Sequence, residues 1–157
     1  MKAFQVFRMR YSGNAVFSAL SMEVLQEAEI PAYICVYNAC FRPMREALEC
    51  SPTDFYYTAA QLLGKREQIY VLKEAGEIAG SVAIYGNEID DLVVAPAYQG
   101  RGLGRALLAW AVARMQAEGT CPITLSVVDW NVRALTLYRD FGFETFETLQ
   151  IGRKESS

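Results

Sequence analysis

The most regular pattern of apolar and polar positions lies in the second half of the chain. Leu103, Leu107, Ala111 and Met115 recur on one helical face with Leu108 and Val112 beside them, which predicts a helix from Leu103 to about Glu118, ended by Gly119. A second helical period joins Ala134, Leu137, Tyr138 and Phe141; Asn131 opens that helix and Gly142 caps it. β-rich runs flank these helices. Gln68–Lys73 and Ile78–Tyr85 are separated by Glu74-Ala75-Gly76-Glu77, the spacing of an antiparallel hairpin. Gly86-Asn87 then turns the chain into a third strand, Glu88–Val94, which Ala95-Pro96 stops. Ile123–Val128 and Phe143 to about Ile151 complete the predicted strands of this half.

Earlier in the chain the periods are weaker. Met22–Gln26 predicts a short strand, and about Glu29–Phe41 a helix with Pro31 in its first turn, interrupted or ended by Pro43. Ser51-Pro52-Thr53-Asp54 has the composition of a helix start, predicting a second helix that runs to Leu63 and closes at Gly64. Residues 1–20 carry aromatic and basic side chains without a period, which leaves an edge strand, an arm or a disordered extension open. The expected organisation is therefore an N-terminal extension over 1–20 and a single domain over 21–157. Its fold class is α/β, with a mixed, mostly antiparallel central sheet covered by helices and a later part built from crossover units.

Composition removes several classes of chemistry. With 157 residues the chain holds one hydrophobic core, and no apolar run is long enough to span a bilayer. A formal charge of -3 offers no general attraction to nucleic acid. No secretory signal leads the chain, and Cys35, Cys40, Cys50 and Cys121 show no metal-site spacing, so reduced structural thiols in the cytoplasm are expected. The chain has no histidine, so neither a Ser-His-Asp or Cys-His nucleophile nor a histidine-ligated metal is available, and proton transfer falls to carboxylates, Tyr, Cys, Lys or water.

The loop before the long helix is the sharpest chemical signal. Gly100, Gly102 and Gly104 let a phosphate approach the backbone amides at the positive end of a helix, although glycines in that place also serve a plain tight turn. Arg101 and Arg105 shift the balance, because cations at a helix N-terminus oppose the macrodipole unless an anion compensates them. A P-loop lacks its Gly-Lys-Ser/Thr ending here. A dinucleotide fingerprint is broken by Arg105, and the loop follows a meander instead of an opening βαβ unit.

The segment Leu92-Val93-Val94-Ala95-Pro96-Ala97-Tyr98-Gln99-Gly100-Arg101-Gly102-Leu103-Gly104 resembles the acetyl-CoA signature of the GNAT (GCN5-related N-acetyltransferase) superfamily, with its Gln/Arg-x-x-Gly-x-Gly/Ala core intact. Asn131-Val132-Arg133-Ala134, followed by Leu137-Tyr138 and Phe141-Gly142-Phe143, is similar to the family's final helix. The likeness covers nearly everything after residue 20. It implies an acetyl-CoA-dependent N-acetyltransferase of GNAT-like fold that needs no metal. Acetyl-CoA is the expected cosubstrate, with its pyrophosphate on the amides of Gly100 through Arg105, Gln99 included in the motif, and its pantetheine arm along Leu92, Val93 and Val94, contacted by Asn131 from the other side. Asn131 is equally a helix N-cap.

The resemblance also implies direct attack of an amine on the thioester. An amide near Val94 is placed for the oxyanion, Glu88 is the first candidate for the base, and Tyr138 is the acid that returns a proton to the thiolate. Asp90 is expected on the same strand face as Glu88 and Asp91 on the other, unless a bulge alters the alternation. Ser126 stands where the ribosomal-protein N-terminal acetylases of the family carry glutamate, which argues against that base and that acceptor class. The expected acceptor is a small-molecule amine or a protein or peptide amine, entering near Tyr33, Tyr37, Phe41, Phe55, Tyr56 and Tyr57, residues that ordinary core packing also explains. The alternative function is a catalytically silent acyl-CoA-binding sensor or scaffold. Only one short strand and a polar tail follow the last helix, so either the N-terminal segment or a second copy in a homodimer is expected to complete the sheet.

Overall fold

The computed structural model describes residues 1–56 and 58–152. Among them one sheet contains β1 (Phe4–Tyr11), β2 (Glu23–Val24), β3 (Ile69–Glu74), β4 (Glu77–Tyr85), β5 (Glu88–Val94), β6 (Thr124–Val128) and β7 (Phe143–Ile151), in the spatial order β2-β3-β4-β5-β6-β1-β7. Every neighbouring pair is antiparallel except β5 and β6. The helices are α1 (Ile30–Ala47), the single turn α2 (Ala60–Leu63), α3 (Leu103–Ala117) and α4 (Val132–Phe141). None is long and apolar enough to cross a membrane. This is the mixed, mostly antiparallel sheet with covering helices expected from the sequence.

Alternation along the central strands sends neighbouring residues into different layers. Val71 and Ala83 join the cluster around Tyr33 and Tyr37 of α1, whereas Leu72 packs with Leu107 and Val82 with Leu108 of α3. α1 and α3 therefore cover opposite faces. Gly80 lets α3 seat closely, since a Cβ there would lie 2.7 Å from Leu107 Cδ1. The face predicted for α3 is the one that is buried, and Leu108 is fully enclosed. Leu108→Ala is expected to cost ~2–5 kcal/mol in denaturant unfolding, through lost transfer energy and the cavity left behind.

Three features differ from expectation. Residues 1–20 contain an interior strand: β1 pairs with β6 from Val6↔Val128 to Arg10↔Thr124 and with β7 from Phe4↔Ile151 to Tyr11↔Phe143. Its period is faint because both of its edges are paired and most of its side chains are half-buried on either face. The N-terminal segment thus fills the position flanking the last strand, and Val6 reaches the functional cleft.

Pro43 neither ends nor interrupts α1, which continues to Ala47. The helix is tied to the following loop on both sides of Pro43, by the two-bond ion pair of Arg42 with Asp54, both at 2.9 Å, and by Arg45 Nε donating to the Pro52 carbonyl at 3.0 Å, while Leu48 N–H closes the last turn on Met44 O at 2.9 Å. Among the described residues the helix expected from Pro52 does not form before α2. Asp54 pairs with Arg42, the Pro52 and Thr53 carbonyls accept from Arg45, and the Asn38 amide brackets the Tyr56 backbone, donating to its carbonyl at 2.7 Å. These tertiary bonds occupy groups that a first helical turn would use. Tyr57 and residues 153–157 lie outside the described residues.

Candidate active site

β5 and β6 pair only at Glu88↔Thr124 and Ile89↔Leu125. Beyond these two pairs the strands part, and a cleft opens between the rest of β5 and β6, roofed by α1 on one side and α4 on the other. Two cavities of ≈ 320 and ≈ 380 Å³ fill it and share Phe41, Met44, Leu92, Asn131 and Ala134. The parting coincides with a bulge in β5. The β4–β5 register shifts between Ser81↔Val93 and Ala83↔Asp90, and Asp91 at the extra position has φ +51°, its N–H donating to Asp90 Oδ1 at 2.7 Å.

The larger cavity runs along Leu92, Val93 and Val94 to the start of α3, where Gln99, Gly100, Gly102, Leu103, Gly104 and Arg105 border it. No side chain caps this helix end, so the first-turn amides have no partner within the helix or from a cap. Gly100 and Gly102 sit at φ +80° and +77°, with open space where a Cβ would stand. A backbone concavity carrying unpartnered N–H groups, the positive helix end and Arg105 fits an anionic diphosphate. Arg101 is turned away from this cavity, 3.9 Å from Glu74 and over the Tyr98 ring. The Val94 carbonyl accepts from Cys40 Sγ at 3.2 Å and from Gln99 Nε2 at 3.0 Å. In an extended strand the N–H of the same residue points the same way, into the cleft.

The smaller cavity is where the titratable groups meet. Asp90, Asp91, Tyr37 and Tyr138 border it together with Ser126. Tyr37 Oη donates to Asp91 Oδ1 at 3.3 Å. Burial, then the neighbouring Asp90, push the Asp91 carboxyl up to about 7, against the opposing pull of Lys65 and the Tyr37 hydrogen bond. Burial first, and Asp91 next, raise the hydroxyls of Tyr33, Tyr37, Tyr56 and Tyr85, so this wall stays protonated and uncharged at neutral pH. Tyr33 and Tyr37 are therefore a buried wall beside Asp91, with Tyr56 stacked edge-on against Tyr37 at 4.6 Å between centroids. Burial also raises the Tyr138 hydroxyl, followed by Asp90.

Glu88 borders neither cavity. It lies before the bulge, raised by burial and Asp90, with Arg8 and a hydrogen bond to Ser126 acting the other way. The cleft carboxylates are instead Asp90 and Asp91, because the extra residue rotates Asp91 out of regular alternation. Asn131 takes both expected places at once: Oδ1 accepts from Ala134 N–H at 3.2 Å as the α4 N-cap, and the residue borders both cavities. The sequence pattern points to Tyr37 and Phe41 of α1 but not to its last turn, which brings Met44 and Arg45 to the cleft. Cys40, Phe41, Met44 and Arg45 reach the cleft from beyond Tyr37 at helical spacing, a stripe that a helix ending at Phe41 would have lost.

A profile of the Acetyltransferase (GNAT) family matches residues 30–143. The chain belongs to this family. It is 31% identical over 90 residues to the [ribosomal protein bS18]-alanine N-acetyltransferase of Escherichia coli K12, covering 55% of this chain and 61% of that one. It is also 24% identical to the L-methionine sulfoximine/L-methionine sulfone acetyltransferase of Pseudomonas paraeruginosa, over 81% of this chain and 82% of the relative. The chain spans less than two thirds of the length of most curated relatives it matches, 19% for the mycothiol acetyltransferase of Kocuria rhizophila. Among solved structures, a GNAT-family protein from Novosphingobium aromaticivorans superposes with TM-score 0.71 at 21% identity, over 96% of this chain and 63% of that chain. The PaiA N-acetyltransferase of Thermoplasma acidophilum, solved with coenzyme A, superposes with TM-score 0.64 at 19% identity, over 79% and 89%. These likenesses establish the fold.

Proposed function

We propose that the protein transfers the acetyl group of acetyl-CoA to a primary amine within a ternary complex. The observation that carries this reading is the junction of the two cavities at β5. An uncapped helix end with positive-φ glycines borders one, and a raised carboxylate facing a phenol borders the other. Acetyl-CoA supplies the activated thioester when bound, and the rest of the chemistry belongs to side chains of this chain. The arriving alkylammonium, with a pKa of ~10, must lose a proton before its nitrogen can attack the carbonyl carbon. Asp91 takes that proton, and burial, with Asp90 alongside, keeps its carboxyl basic enough to do so near neutral pH. The Val94 N–H faces the cleft, where it stabilises the oxyanion, and Tyr138 donates to the sulfur as the C–S bond breaks. Glu88 has no place in this sequence of steps.

The relatives' names span protein and small-molecule amines, including a ribosomal-protein alanine, the Nε of thialysine, and methionine sulfone. The acceptor must therefore be argued from this chain's own cavity. Release of free CoA thiol from acetyl-CoA across a panel of amines, amino acids and peptides tests the proposal, and amine-dependent release is expected. Thermal stabilisation by acetyl-CoA without release on any acceptor would leave a silent acyl-CoA binder, the sensor or scaffold reading. Gly102→Ala places a Cβ at φ +77° and narrows the diphosphate seat. The KM for acetyl-CoA is expected to rise about tenfold with kcat nearly unchanged, since strain and obstruction of ~1–2 kcal/mol act on binding and not on the reacting atoms.

A further inference from the structure

The acceptor-side cavity has a cation on its wall that acetyl transfer itself does not require. Arg45, in the last turn of α1, is half-buried and borders the same cavity as Asp90 and Asp91. Its guanidinium is fixed in place. Nε donates to the Pro52 and Thr53 carbonyls at 3.0 and 3.1 Å, Nη2 donates to the Pro52 carbonyl at 2.6 Å, and the group lies 5.6 Å from the Phe55 ring centroid. All three acceptor contacts are neutral carbonyls. Among the described residues no carboxylate lies within ion-pair distance of it, because Asp54, the acid nearest in sequence on that loop, has both oxygens committed to Arg42. Asp54 feels the Arg45 charge only at a distance, and among the described residues no hydrogen bond engages Nη1, so a fixed guanidinium keeps a donor for an anion.

At the other side of the cavity Asp91 and Asp90 draw in an ammonium. Tyr37, which holds Asp91, and Arg45 are eight residues apart on α1, ~12 Å along the helix axis. The arginine side chain leans back towards the helix N-terminus and shortens that gap. Phe55 packs within reach of both, 6.4 Å from the Tyr37 ring and 5.6 Å from the Arg45 guanidinium, and Tyr37, Arg45, Asp90 and Asp91 all border the one cavity. Val6, Met44 and Val128 give the cavity apolar walls. Opposite charges held at two ends of an apolar-walled cavity match a small molecule that is itself a zwitterion.

We propose that the acceptor is a free amino acid whose amine and carboxylate are held apart by an apolar chain, its amine at Asp91 and its carboxylate paired with Arg45. The inference rests on the acetyl-transfer reading of the same site. It separates this chain from an enzyme for peptide N-termini or simple alkylamines, neither of which carries an anion to Arg45.

The test compares matched acceptors in the CoA-thiol assay: 6-aminohexanoate, 6-aminohexanamide, hexylamine and a C-terminally amidated leucyl tripeptide, with leucine and shorter and longer ω-amino acids to measure the preferred span. Free carboxylates are expected to exceed the matched amide and amine in kcat/KM by ~10- to 100-fold, the range of a charge-assisted hydrogen-bonded pair. Arg45→Gln should bring that ratio close to one, and Arg45→Lys should keep part of it. The ratio is insensitive to a partly unfolded preparation, because both substrates report on the same active fraction. Equal or better use of the amide, the amine or the tripeptide by the unsubstituted protein overturns the proposal and leaves acetyl transfer standing. A carboxylate preference that persists undiminished in Arg45→Gln overturns the role of Arg45. Absence of thiol release with every amine overturns the acetyl-transfer reading, and this inference with it.

Discussion

Asp91→Asn is expected to lower kcat by ~10²–10⁴-fold, the range of a lost general base, while the protein becomes more stable at pH 8. Asparagine is the informative replacement. It tolerates the positive φ of this position and can still accept from Tyr37, so packing and the bulge persist while the proton acceptor is lost. The sign of the stability change follows from linkage. The folded carboxyl titrates at about 7, above the unfolded value of ~3.9, so between these limits the folded chain binds a proton that the unfolded chain has released. Stability therefore falls as pH rises through that window, and the penalty is fully present above pH 7. Asparagine carries no such penalty, so the two proteins should converge in stability near pH 4 and separate at pH 8. In the unsubstituted enzyme kcat should rise with pH through about 7, as the base ionises, and this limb should vanish in the variant. Glu88→Gln, outside the cavities, should retain both the rate and the limb. Steady-state profiles from pH 5.5 to 9 alongside urea unfolding at pH 4 and 8 check all three statements.

Tyr138→Phe is expected to reduce kcat by ~10²-fold or more while the KM for acetyl-CoA changes less than twofold. Phenylalanine keeps the ring contact with Phe143, 6.3 Å between centroids, so folding should be little affected. The phenol is held protonated by burial and by Asp90, which suits a donor to a sulfur that gains charge as it leaves. A thioester with a better leaving thiol needs that donor less, so the defect should shrink with such an acyl donor. An undiminished turnover number would remove Tyr138 from the chemistry.

The two candidates for proton transfer were unequally legible. Tyr138 lies on a regular helix whose Asn131 cap and Gly142 stop are local signals, and the structure places it at the cleft as its motif suggested. A regular strand puts Glu88 first among the carboxylates, whereas in the structure Glu88 borders neither cavity. One extra residue in β5 brings Asp91 to the cleft beside Asp90, and nothing local in Glu88-Ile89-Asp90-Asp91 distinguishes a bulged strand from a regular one. Similarly, Pro43 and the Ser51–Asp54 segment carry strong local preferences, yet the Arg42–Asp54 pair and the Arg45 bonds to Pro52 and Thr53 override them.

By itself the sequence determined the helices α3 and α4, the β3–β4–β5 meander, the family, and the glycine loop that fits acetyl-CoA. Each depends on contacts within a few residues: a hydrophobic period, a cap, a turn, or amides exposed at one helix end. Only the tertiary structure decided that residues 4–11 lie inside the sheet, that the bulge turns Asp91 into the cleft, and that Arg45 borders the same cavity. Those facts arise from pairing between segments distant in sequence, where burial and charge compensation depend on which strand or helix arrives alongside. The glycine loop is therefore legible as an anion seat from the sequence alone, whereas the other half of the cleft is built from side chains that meet only after folding.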